Sequence, residues 1–318
     1  MKALVTGAAG FIGSNLVDAL LRRGHEVVGF DNLSTGFRRH LEAAERSPAF
    51  RFVQGDVLDA AALDAALAGC DQVFHLSANA DVRFGLEHPR RDTEQNTLAT
   101  LNLLEAMRRA GVKRLAFAST GSVYGECPVT PTPEDAPFPV QTSLYAASKV
   151  ACEGLIQAYS EGFGFRSHIF RFVSILGERY SHGHVFDFVR NLRREPGRIR
   201  ILGDGTQRKS YLYVGDCVEA VLHALARATD KVNIFNLGTD EYCNVRQSLG
   251  WICGRLGVSP VVEAAGGDRG WVGDNPFVFL DCRRIRALGW SPTRSIREGV
   301  ERTVDYLLAN PWLLESRA

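Results

Sequence analysis

Charge of one sign, paired cysteines and long apolar runs are all missing from this chain. Its 318 residues carry 37 Lys and Arg against 36 Asp and Glu, a formal net charge of +1. Without a basic excess there is no electrostatic footprint for a nucleic acid or an anionic membrane surface. The seven cysteines, at 70, 127, 152, 217, 243, 253 and 282, are odd in number and include no Cys-x-x-Cys pair. They read as reduced, mostly buried thiols of a cytoplasmic protein, not as a disulfide framework or a metal site. No apolar run approaches the roughly 18 residues of a membrane span. The first residues pass straight into a strand pattern, so no signal peptide is expected. Internal repeats and low-complexity segments are also absent. What is left is a length that suits one large α/β unit or two closely joined domains.

The first thirty-odd residues organise the rest. Lys2 to Thr6 is a short apolar run that reads as a buried strand, followed at once by Gly7, Gly10 and Gly13. A helical pattern comes next, with Leu16, Val17, Leu20 and Leu21 on one face and Gly24 as its stop. Glu26 to Phe30 is a second strand, ending on Asp31. In this order Gly7 lets the chain turn, Gly10 lets backbone approach a pyrophosphate, and Gly13 lets helix and strand pack closely. Phosphates then meet the free N–H groups of Phe11, Ile12 and Gly13 at the helix N-terminus. Asp31, 18 residues past Gly13, sits where a carboxylate accepts from an adenosine ribose and repels a 2′-phosphate. NAD is therefore expected in preference to NADP. Asn32, Ser34, Thr35 and Gly36 close the strand with a turn beside the same ribose.

Further strands are expected at Phe50 to Gln54, Gln72 to Leu76, Arg114 to Ser119 and Ser167 to Val173. Helices Ala60 to Ala68 and Thr93 to Ala110 alternate with them, the pattern of a doubly wound parallel sheet. Asp56, with Val57, follows the third strand and is open to two readings, an adenine contact or a strand-end turn. Leu76, Ser77 and Ala78 end the fourth strand, where ligands of such sheets collect. His75 reads as a core histidine. Asn96, in the long helix, faces either cofactor or core.

Tyr145 and Lys149 open the next helix four residues apart and so share one face. An ammonium beside a phenol, with a positive nicotinamide close by, stabilises phenolate and brings tyrosine toward the role of general base. Past residue 173 the alternation fragments, with helices expected at Val185 to Arg194, Asp216 to Ala228, Asn244 to Leu256 and Ile296 to Leu308. Short strands are expected at Ile199 to Leu202, Ser210 to Val214, Asn233 to Leu237 and Pro276 to Leu280. The expected division is a dinucleotide domain at 1–173 and a substrate-binding region at 174–318, some of whose segments return to the first domain.

Four motifs together, Gly7-x-x-Gly10-x-x-Gly13, Asp31 to Gly36, Ser119 to Gly125 and Tyr145-x-x-x-Lys149, resemble the extended short-chain dehydrogenase/reductase family. The similarity is greatest to its nucleotide-sugar epimerases of the UDP-glucose 4-epimerase type. Asn96 with Leu103 to Ala106, Gly203 to Gln207, and Leu288 to Trp290 also fit. The resemblance implies a Rossmann-type sheet with a smaller C-terminal α/β region, bound NAD, a nucleotide-sugar substrate and a homodimer. It implies that Tyr145 takes the proton of a sugar 4-hydroxyl while C4 gives hydride to the nicotinamide. Thr120 would hydrogen-bond the same oxygen and Lys149 the nicotinamide ribose, with Ser119 and Phe172 on the cofactor side. Hydride would return to the other face, giving the 4-epimer.

Dehydratases of this family carry an acidic pair after the threonine. Gly121 and Ser122 stand there, which disfavours 4,6-dehydration. Gly121, Ser122, Ser174, His184 and Val185 fall at family substrate positions. Three departures follow: Ser174 replaces a common Asn, Lys209 with Arg208 beside it replaces an Arg, and Trp271 with Arg269 nearby replaces another. Lysine is a point charge without the fork of arginine. The expected substrate is a UDP-hexose or UDP-hexuronate. ADP-, GDP- or CDP-linked hexoses or heptoses stand second. UDP-glucuronate decarboxylation, 4-ketosugar reduction and non-catalytic NAD sensing are the rival functions. No metal is expected.

Overall fold

The computed structural model describes residues 1–79, 84–138, 140–267 and 277–316. Its centre is a sheet of seven parallel strands. From one edge to the other they are Val232–Leu237, Arg166–Phe172, Arg114–Thr120, Gln72–His75, Lys2–Thr6, Glu26–Asp31 and Phe50–Gln54. Apolar runs such as Leu4-Val5 and Val73-Phe74 suit strands covered on both faces. Alternate residues divide between two cores. Ala3 and Val5 face the side covered by helices Phe11–Arg22 and Val214–Arg227, whereas Leu4 faces the side of helices Ala60–Leu67, Ala99–Ala110 and Leu144–Phe163. The direction of strand addition reverses between Lys2–Thr6 and Gln72–His75, and this switch opens a crevice at the carboxyl ends.

Caps fix the helices that border the crevice. Ser143 accepts from the Ala146 N–H and starts helix Leu144–Phe163, and Gly164 at φ +67° ends it. Asp59 does the same for Ala60–Leu67, accepting from Ala61 and Ala62. Helix Phe11–Arg22 has only Gly10 at its cap, with no side chain over its first turn. The long helix expected from Thr93 does not begin as one. Thr93–Leu98 is a π-turn, and the α-helix starts at Ala99.

The C-terminal half breaks into small pieces. Tyr211–Tyr213 pairs with Ser174–Leu176, Arg198–Ile201 with Val261–Ala264, and Arg208–Lys209 lies between Cys243–Asn244 and Phe277–Val278. Helices His184–Arg194, Val245–Leu256 and Ile296–Ala309 pack among them. Val232–Leu237 leaves this half to complete the main sheet against Arg166–Phe172. All seven cysteines are free thiols. No described helix is long and apolar enough to cross a membrane. Among the described residues no cluster of His, Cys, Asp and Glu is placed to hold a metal ion.

Candidate active site

A cleft of about 1070 Å³ lies over the carboxyl ends of the strands and runs into the C-terminal half. One ligand commonly fills about 300–1,000 Å³, so this volume suits a dinucleotide with a second ligand. Gly7 turns at φ +70°, and a Cβ there would lie 2.8 Å from the Ser77 nitrogen. A Cβ on Gly13 would collide with the Gly7 carbonyl oxygen, so the helix packs on the turn itself. The uncapped first turn leaves N–H groups for an anion.

Asp31 is buried at the end of its strand. Its carboxylate accepts from the N–H groups of Ala9 and Leu33, at 2.9 and 2.8 Å. Burial pushes its pKa up and those two bonds oppose the rise. Asn32 donates to Asp56, which also accepts from the Leu58 N–H. Asp56 thus serves the strand-end turn while lining the cleft. The turn carrying Ser34, Thr35 and Gly36 is fastened from behind. Phe37 N–H donates to the Ala9 carbonyl, and His40 Nδ1 lies 3.1 Å from the same oxygen. Trp312, from the helical turn Pro311–Glu315, stacks edge-on against Phe37 at 5.4 Å, with the Arg39 guanidinium 4.7 Å over its indole. Glycines without room for a side chain, an uncapped helix and a ribose-level carboxylate together fit NAD. Leu76, Ser77 and Ala78 complete that half of the wall.

Thr120, Tyr145 and Lys149 line the cleft together. Lys149 is buried, donates 2.9 Å to the Ala118 carbonyl, and lies 5.9 Å from the centre of the Tyr145 ring. Burial lowers its pKa, while Cys152, Glu153 and Asp92 favour the ammonium. Burial also pushes the Tyr145 phenol up, with the Thr120 hydroxyl pulling the other way. The chain alone therefore raises the phenol, because loss of water, with Asp92 and Cys152 adding to it, outweighs the Thr120 hydrogen bond.

Asn96 sits behind the wall. Its Oδ1 accepts from the Asn79 N–H at 2.8 Å, and its Nδ2 donates to Ser148, whose hydroxyl donates to the Tyr145 carbonyl. It ties the end of strand Gln72–His75 to the helix of Tyr145, and its neighbour Gln95 lines the cleft instead. His75 is a core residue, with Nδ1 2.7 Å from the Thr6 hydroxyl and Nε2 3.1 Å from that of Thr100. Ser119 lines the cleft, and its hydroxyl donates to Glu153.

Phe172, expected on the cofactor side, lines the cleft, as do Ser122, Ser174, His184 and Lys209, expected on the substrate side. His184 is held between Ser248 and Tyr211, and burial brings it down to about 4, a neutral imidazole. Three expected contacts do not reach the cleft wall. Gly121 and Val185 are buried beneath it. Arg208 points the other way, its guanidinium 4.0 Å from the Phe277 ring centre, because neighbours on a strand face opposite sides. Arg269 and Trp271 lie outside the described residues. Sequence reading missed Thr142, Ser143, Tyr180, Arg190, Arg200, Leu202 and Gln207, all on the cleft. The helix-cap pattern before Tyr145 was a signal for Ser143 and the stretch Gly203 to Gln207 was one for Gln207; the others have no local signature.

Known proteins are similar over nearly the whole chain. The family described as NAD dependent epimerase/dehydratase matches residues 3–238. UDP-glucose 4-epimerase of Mycolicibacterium smegmatis is 37% identical over 313 residues, covering 96% of this chain and 98% of that protein. The crystal structure of Thermus thermophilus UDP-glucose 4-epimerase in complex with NAD superposes with a TM-score of 0.86 at 34% identity, covering 98% of this chain and 100% of that one. Bacillus cereus UDP-glucuronic acid 4-epimerase, in complex with UDP-glucuronic acid and NAD, gives 0.90 at 29% identity, covering 97% and 99%. The chain belongs to the NAD-dependent epimerase/dehydratase family.

Proposed function

We propose that this chain is an NAD-dependent nucleotide-sugar 4-epimerase, an isomerase, whose substrate is a UDP-hexose or UDP-hexuronate. The observation that carries the reading is that Thr120, Tyr145 and Lys149 together line a cleft roomy enough for a dinucleotide and a second ligand. Gly121 and Ser122 follow Thr120 where a dehydrating enzyme needs acids.

NAD, when bound, supplies a hydride acceptor for C4 and a positive charge beside the phenol. Tyr145 takes the proton of the 4-hydroxyl and gives it back to the same oxygen after the sugar has turned over. Thr120 holds that oxygen and opposes the rise that burial imposes on the phenol. Lys149, fixed by the Ala118 carbonyl, keeps a cation behind the phenol. Ser77 and Ala78 wall the reacting end, and Lys209 gives the diphosphate a positive anchor while the sugar rotates.

The homodimer and the cytoplasmic location are part of this proposal. Half-exposed Leu98, Leu144 and Phe163, on or beside helices Ala99–Ala110 and Leu144–Phe163, support a partner on that face. The test is incubation of purified protein with a panel of nucleotide sugars, followed by NMR. A 4-epimer isobaric with its substrate, formed without added reductant, supports the reading. Loss of carbon dioxide or consumption of external cofactor replaces it with decarboxylation or reduction.

A further inference from the structure

The segment Gly177 to Gly183 joins strand Ser174–Leu176 to helix His184–Arg194. Tyr180, Ser181, His182 and Gly183 line the cleft. The segment runs along helix Phe11–Arg22, which follows the glycine turn. Phe11, in the first turn of that helix, meets Tyr180 edge-on with ring centres 5.5 Å apart. One turn on, Asn15 donates to the Glu178 carbonyl at 3.1 Å. One turn further, Asp18 accepts from the Arg179 guanidinium at 2.6 Å. Phe11, Asn15 and Asp18 are spaced i, i+4 and i+7, so a single face of the helix makes all three contacts. From the other side, the Glu178 carboxylate accepts from the Tyr213 hydroxyl at 2.8 Å and from Arg302 at 2.7 Å.

The backbone of this segment is held away from its preferred shape. Among the described residues, Arg179 and Leu33 alone combine a side chain with a positive φ, and that of Arg179 is +71°. A residue with a Cβ persists there only when its surroundings hold it. The partner that holds Arg179 is Asp18. Their side chains are only 16% and 20% exposed, so solvent screens the pair less than it would on an open surface.

We propose that Asp18 and Arg179 are positioning residues, which anchor the Gly177 to Gly183 wall of the cleft to the dinucleotide helix in its ligand-ready shape. The proposal rests on the nucleotide-sugar reading above, in which this wall meets the second ligand. Without the pair, Arg179 is free to return to right-handed backbone and to draw Tyr180 and its neighbours out of place. The second ligand then finds the wall competent for only part of the time, and its apparent affinity falls by that fraction.

Calorimetric titration of the NAD-loaded protein with UDP tests this. Asp18→Asn and Arg179→Gly are each expected to weaken UDP binding by about tenfold, as for a wall competent about a tenth of the time. The double variant is expected to lose no more than either single one, because both remove the same contact. NAD content should stay at the wild-type level. Arg179→Gly also removes the strain, so its thermal midpoint should remain close to that of wild type. Wild-type UDP affinity in either single variant overturns the assignment, as does an additive loss in the double variant. A fall in NAD content equal to the fall in UDP affinity also overturns it, by making the pair a general support of the fold. Failure of the wild type to bind UDP overturns the nucleotide-sugar reading itself, a different result from unchanged affinity in the variants.

Discussion

The hydroxyl of Ser119 donates to the carboxylate of Glu153 across 2.5 Å, one helical turn beyond Lys149. Arg171 meets the same carboxylate with two nitrogens and also donates to Tyr124 and to the Glu134 carbonyl. Tyr124 donates in turn to Asn236, on the strand that returns from the C-terminal half. The strand end that carries Thr120 and the helix that carries Tyr145 are thus joined through a neutralised, buried pair.

Breaking that pair on one side leaves a buried charge. Arg171→Met and Glu153→Leu should each cost about 3–5 kcal/mol of stability, and the double variant should recover most of it. Urea denaturation of all four proteins measures this. Single-variant losses below about 1 kcal/mol would show that water reaches the pair.

Tyr145→Phe should keep the fold and the bound dinucleotide while lowering turnover by about 10²–10⁴-fold. Thermal denaturation and NAD content, measured alongside turnover, separate this from misfolding. Near-normal turnover would remove Tyr145 from the proton path.

Asp31→Ala leaves the N–H groups of Ala9 and Leu33 without their acceptor. A loss of about 1–3 kcal/mol is expected for such unsatisfied groups. NAD affinity should fall with it, read from the dinucleotide released on denaturing the purified protein. Unchanged NAD content would move ribose recognition elsewhere.

Acid should destabilise the protein before its carboxylates titrate. Burial holds His75 at about 3 and His40, His168 and His184 at about 4. Unfolding restores the ordinary value near 6.5, so the unfolded chain binds more protons between these limits. Stability is then full above pH 6.5 and falls as pH drops toward 4, by about 1.4 kcal/mol per pH unit for each such histidine. His75→Asn should flatten the slope by one histidine's share in denaturation midpoints taken from pH 7 to 4.5.

What the sequence revealed was local. Gly7, Gly10 and Gly13 answer to a turn and a helix start within one short stretch, and Tyr145 with Lys149 answers to one turn of helix. Where contacts join distant segments the reading weakened. Asn96 falls in a π-turn, whose phase an α-helical pattern does not give, so Gln95 and not Asn96 reaches the cleft. Arg208 and Lys209 differ only by strand register, which the pairing with Cys243–Asn244 and Phe277–Val278 decides. Arg200 acquires meaning only from the cleft that it lines. Burial dominates the Tyr145 phenol, which its spacing from Lys149 does not reveal.

The indole of Trp312 rests on the segment that holds the turn of Ser34 to Gly36 against Ala9. Loosening of the turn that carries Trp312 would therefore reach the ribose end of the cleft through Phe37 and His40.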